Sequence, residues 1–221
     1  MNKTVQLVNE WASFEETHPE ATLEEFCRYY LTAQRSKREV GPNFAGGGVP
    51  AAPKSHLMKL LAFLSRAAHT YFEKAFETIP EIKQKEDFFF LNIIGNKEAC
   101  RKTDVINEQL LGLSTGIDTL NRLIAHELIT ERANPADKRA KLLTITDKGR
   151  EVLDRAYGVA RKVNEILLHD MTDEDAKLCI QLLRGAEARQ SAIIFEMRDM
   201  PLDEVYDRVV GKSQVTEKTK P

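Results

Sequence analysis

Only three cysteines occur, Cys27, Cys100 and Cys179, odd in number and far apart. That usage excludes a disulfide framework and suits a reducing cytoplasm. The longest nearly apolar runs, about 57–64 and 88–94, fall far short of the ~20 residues that cross a bilayer. The opening Asn2-Lys3-Thr4 has no basic-then-apolar signal pattern. No membrane partner is therefore expected. The five histidines, at 18, 56, 69, 126 and 169, never cluster, so no metal set is expected. His126-Glu127 begins like the helical zinc motif, but Thr130 holds the place of the second histidine. The glycine triplet at 46–48 leads into Val49-Pro50, which no phosphate loop does. No cofactor and no catalytic residue is expected, and an enzyme is the weakest of three readings.

What remains is ordinary globular material: 221 residues, 42% apolar and 30% charged. The net charge of −2 does not advertise a nucleic-acid binder, but its distribution is uneven. Residues 1–35 hold three bases and six acids, whereas 132–150 hold six bases and two acids. A phosphate backbone responds to local charge within a Debye length of roughly 8 Å.

The punctuation divides the chain. Residues 1–35 read as a helical extension broken at His18-Pro19. Thr22 and Glu25 form a capping box there, with Leu23, Phe26, Tyr30 and Leu31 as the apolar face. Residues 36–54, rich in glycine and proline, read as a flexible linker. Residues 55–96 read as scaffold helices: 55–78 up to Pro80, then 81–94 closed by a left-handed turn at Gly95-Asn96. Within 97–150 the pattern is helix (97–110), tight turn at 111–113, helix capped by Ser114, then a hairpin turning at Asn134-Pro135-Ala136-Asp137. A long helix capped by Asp147 and another capped by Thr172 and Asp175 fill 151–210, and 211–221 read as a disordered tail.

Helix, turn, helix and basic hairpin is the constellation with chemical content. The second helix offers Ser114, Thr115, Asp118, Thr119 and Arg122 on one side, and Ile117, Leu120, Ile124 and Leu128 mostly on the other. Hydroxyls and an arginine can bond base edges or phosphates. The hairpin tip projects Lys138 and Arg139 beyond the turn, with Lys141 behind them, and extended arginine suits a narrow minor groove.

From Glu127-Leu128-Ile129-Thr130-Glu131-Arg132 through Asp137-Lys138-Arg139 to Ile145-Thr146-Asp147-Lys148-Gly149, the chain resembles the MarR family of bacterial winged-helix transcriptional regulators. Glu127 stands where that family usually has glycine, and Gly116 interrupts the recognition helix. The resemblance implies an all-α fold with a small β-wing, a winged helix-turn-helix set in a helical dimerisation scaffold. It further implies a cytoplasmic homodimer that binds double-stranded DNA and responds to a small-molecule effector. Arg139 would enter the minor groove, Lys138 and Lys141 would meet phosphates, and Asp137 would orient the wing arginines. The runner-up is a winged-helix adaptor without DNA contact. Phe88-Phe89-Phe90 reads as core with one partly exposed ring, and Cys100, beside Arg101 and Lys102, as a plain small residue rather than a redox sensor.

Overall fold

The computed structural model describes residues 2–36, 48, 50–134 and 137–211, with backbone alone at 34–36 and 137–140. Most of the linker 36–54 and the tail 211–221 therefore lie outside the described residues. The chain forms two units, Met1–Leu61 and Ala62–Pro221.

The first unit contains α1 (Lys3–Thr17) and α2 (Leu23–Ser36). The capping box forms as expected: Thr22 N donates to Glu25 Oε2 at 2.7 Å, and Glu25 N to Thr22 Oγ1 at 3.3 Å. The apolar face is not the one expected. Leu23 and Leu31 are exposed and Tyr30 half-buried, while Phe26 is buried. Phe26 packs edge-on to Trp11 at 4.9 Å between ring centroids, and Phe14 stacks on His18 at 4.5 Å. Aromatic area, large per residue, supplies this small core. Pro53, assigned to the linker by its residue type, instead begins α3 (Pro53–Phe76). Its fixed φ and missing N–H suit the first helical position, where no intrahelical partner exists.

In the second unit α4 (Lys85–Gly95) starts four residues later than its apolar pattern suggests. Asp87 decides the start: its Oδ2 accepts from Lys83 N at 2.9 Å and Gln84 N at 3.0 Å, holding the preceding segment as a turn. Gly95-Asn96 does not form the left-handed turn expected, since Asn96 has φ −93° and ψ 4°. Gly95 instead admits a neighbour, because a Cβ there would lie 2.6 Å from Leu153 Cδ2.

The expected helix over 97–110 is interrupted. Cys100–Arg101 form a short strand, β1, and α5 spans only Lys102–Glu108. The hairpin strands β2 (Ile129–Asn134) and β3 (Asp137–Ile145) are present, and β1 joins them as a third, antiparallel strand in the order β1-β3-β2. Cys100 pairs with Leu143, and Leu143 with Glu131. Two residues are too few to show alternation, so β1 has no sequence signal of its own.

α6 (Leu113–Ala125) precedes the hairpin, and α7 (Asp147–Leu167) and α8 (Asp173–Ile193) follow it. Thr146, not Asp147, caps α7 by accepting from Gly149 N at 2.9 Å. Thr172 caps α8 as expected, accepting from Asp175 N at 3.2 Å. α9 (Leu202–Tyr206) and a π-helical turn (Asp207–Gly211) close the described chain. Phe90, Leu91, Ile94, Val105, Leu120, Leu123, Leu128, Leu143 and Val152 are fully or almost fully buried and form one core under the sheet. Among the described residues no helix is long and apolar enough to cross a membrane.

Candidate nucleic-acid interface

α5 and α6 are joined by a turn in which Leu110 takes φ 54°. Gly112, not Ser114, is the N-cap of α6. The run Gly112-Leu113-Ser114-Thr115-Gly116 has the spacing of a hydrolase nucleophile elbow. An elbow needs a strand leading into the turn, and here a helix precedes it. Gly116 has a packing role instead: a Cβ there would lie 2.5 Å from Ile106 Cγ1, so the Ile106 side chain of α5 packs directly on the backbone of α6.

α6 presents Ser114, Thr115, Ile117, Asp118, Asn121 and Ala125 to the outside. Positions 114, 117, 118, 121 and 125 follow helical spacing and make one stripe. Charge and hydroxyl content do not mark Asn121, but the 3-4 spacing from Ser114 does, and an asparagine can bond both N6 and N7 of adenine in the major groove. Two residues placed on that face by sequence are drawn inward. Thr119 is fully buried, and its Oγ1 donates to Thr115 O at 3.0 Å. Arg122 spends its guanidinium on protein: Nε and Nη2 reach Asp87 Oδ1 at 3.1 and 2.8 Å, and Nη2 reaches Gln84 Oε1 at 3.0 Å. The Asp87 side chain is 1% exposed and that of Arg122 29%. This fork ties the N-terminus of α4 to the last turn of α6.

The turn leaving α6 has Glu127 in the left-handed region, φ 61°. The shape that glycine adopts freely is thus kept by a residue for which it is strained. Thr146 Oγ1 donates to Glu127 O at 2.7 Å, and Lys148 Nζ lies 3.3 Å from Glu127 Oε2, so the turn is braced from α7.

In the wing, Arg132 pairs across the ladder with Leu142, which pairs with Arg101 on its other side. Both arginines are exposed. Lys141 Nζ donates to Glu131 Oε2 at 2.7 Å, and Lys102 Nζ donates to the same carboxylate. At the tip the backbone of Asp137, Lys138 and Arg139 continues β3, while their side chains, and Pro135 and Ala136 altogether, lie outside the described residues. Burial pushes the Cys100 thiol up, away from the thiolate a redox sensor needs. Among the described residues no group of three His, Cys, Asp or Glu could hold a metal.

A cleft of about 520 Å³ lies beside α4, lined by Phe72, Phe88, Phe89, Tyr157, Arg161 and Asn164. Phe88 is buried and Phe89 half-buried, as the sequence pattern suggests. The Phe88 ring meets Tyr157 edge-on at 6.0 Å.

No protein-family model matches the chain. The HTH-type transcriptional regulator BilQ of Clostridioides difficile is 27% identical over 106 residues, 48% of this chain and 72% of that protein. Among solved structures, a MarR protein from Peptoclostridium difficile superposes with TM-score 0.59 at 22% identity, covering 69% of this chain and 99% of that one. A mutant Escherichia coli MarR complexed with operator DNA superposes with TM-score 0.53 at 17% identity, over 59% of this chain and 92% of that one. Likeness of this degree shows the fold, a winged helix-turn-helix with its flanking helices.

Proposed function

We propose that this chain, which has the MarR-type winged-helix fold, is a sequence-specific DNA-binding transcriptional regulator. The observation that supports the reading most is the exposed face of α6 with Ser114, Thr115, Asp118 and Asn121, next to a hairpin of basic sequence, on a fold it shares with an operator-bound neighbour. In this reading Ser114, Thr115, Asp118 and Asn121 face the major groove. Arg139 enters the minor groove, oriented by Asp137, and Lys138 and Lys141 meet phosphates. Thr119 and Arg122 set the attitude of α6 from behind. Base contacts discriminate sequence, whereas phosphate contacts supply affinity and its salt dependence.

Fluorescence anisotropy with the duplex that flanks the protein's own gene, and with a random duplex, tests this. Tighter binding to the first is expected. Arg139→Ala is expected to reduce affinity most on duplexes with narrow, A·T-rich minor grooves. Binding to neither duplex at any salt concentration would return the chain to the adaptor reading.

The reading includes a cytoplasmic homodimer. α8 has no buried residue, and Ile180 and Leu182 on it are 60% and 61% exposed. Such apolar area on a 21-residue helix calls for a second copy, and two-fold symmetry would match a palindromic operator. Sedimentation at micromolar concentration is expected to give twice the chain mass; the chain mass itself would refute the dimer.

Regulation by a small molecule is the third part. The aromatic cleft is within the usual size range of ligand pockets, and Phe88 on its wall follows Asp87 directly in sequence. A ligand wedged against Phe88 would therefore bear on the carboxylate that holds Arg122 and, through it, α6.

A further inference from the structure

Glu131 lies beneath two bases. Its side chain is 17% exposed, against 32% for Lys102 and 65% for Lys141. The strand register explains the triad. Glu131 stands opposite Leu143, so its side chain is on the core-side face of the sheet, and Lys141, opposite Ala133, is its diagonal neighbour on β3. Lys102 arrives from the first residue of α5. The hydrogen bonds from Lys102 and then Lys141 hold the Glu131 carboxyl below the ordinary carboxylate range, so it is ionised at neutral pH.

We propose that Glu131 is a specificity-determining residue that limits the non-specific grip of the wing on duplex DNA by neutralising Lys102 and Lys141; this rests on the DNA-binding reading above. Each ammonium gives one of its three N–H donors to Glu131, so its charge is already partly offset when it meets a phosphate oxygen. The triad therefore delivers one net positive charge to DNA instead of two. Non-specific affinity comes almost entirely from neutralised phosphates, whereas discrimination comes from base edges read by α6. One carboxylate in the wing thus lowers the background against which the stripe on α6 acts.

The test is salt-dependent anisotropy of the full chain on a random-sequence duplex, comparing wild type, Glu131→Gln, Glu131→Ala and Glu131→Asp. Glu16→Gln, the same charge change on an exposed residue of α1, is the control. Thermal melts establish that each variant folds. Glu131→Gln and Glu131→Ala are expected to steepen the slope of log K against log salt by roughly one unit per subunit. For a dimer, their gain over wild type shrinks by about tenfold between 50 and 200 mM salt. Glu131→Asp and Glu16→Gln should follow wild type. Folded Gln and Ala variants with the wild-type slope, or an equal steepening by Glu16→Gln, would overturn the proposal. A wild type that binds no duplex at any salt overturns the DNA-binding reading and this inference with it.

Discussion

Alanine at Gly149 is expected to cost at least about 3 kcal/mol and to lower the midpoint of thermal unfolding by roughly 10 °C. A Cβ built there lies 2.0 Å from the backbone oxygen of Leu128 and 2.9 Å from Ile145 Cγ1. The obstacle is a carbonyl rather than the end of a flexible side chain. That carbonyl is held by the backbone of Thr146, whose N–H donates to it at 3.0 Å. Relief would require α7 to move off the strand, opening the core around Leu128 and Val152. Gly158 in the same helix has open space around it. Alanine there should stabilise by about 0.5–1 kcal/mol, the ordinary helix gain over glycine. Opposite signs within one helix, read by urea or thermal unfolding of the full chain, are the expected result. A neutral Gly149→Ala would mean that the start of α7 is not seated against the Leu128 carbonyl as described.

The second large effect is expected at Asp87. Asp87→Ala removes the acceptor of two backbone N–H groups and leaves the Arg122 guanidinium, 29% exposed, without its counter-charge. Breaking such a pair from one side costs about 3 kcal/mol, more than the pair contributes by existing, because the partner stays partly desolvated. Arg122→Ala is expected to cost less, since Asp87 keeps its two backbone donors. The double variant should lose clearly less than the sum, the mark of direct coupling. Arg122→Lys keeps the charge but not the fork that reaches Asp87 and Gln84 together, and should recover only part of the loss. Strict additivity in urea unfolding would show that the two residues do not meet. In DNA binding, Asp87→Ala should weaken the flanking-gene duplex more than the random one. A mis-set α6 loses base contacts before it loses phosphate contacts.

The local devices were legible in the residues. Thr22 with Glu25 and Thr172 with Asp175 cap helices because the bonding partners lie three positions apart, within reach of any chain that starts to coil there. The antiparallel pairing of β2 with β3 follows from β-branched residues on either side of a turn signal in the sequence. The order of helix, turn, helix and wing was legible in the same way, although β1 interrupts the first of those helices, and the winged-helix fold was legible through the family resemblance carried by residues 127–149. Tertiary structure decided what depends on partners distant in sequence. Arg122 faces inward because Asp87, 35 residues earlier, lies beneath it. Thr119 is buried and Asn121 exposed because α6 turns one particular stripe to the core, and hydroxyl or charge alone does not say which. β1 exists because β3 offers Cys100 and Arg101 an edge to pair with. Gly95, Gly116 and Gly149 stand where another element comes too close for a Cβ, and in sequence each looks like a turn or a weak point in a helix. Capping and turn formation are settled within a few residues, so local sequence determines them. Which side chain is covered, and which glycine is needed for space, depends on what the rest of the chain brings against it.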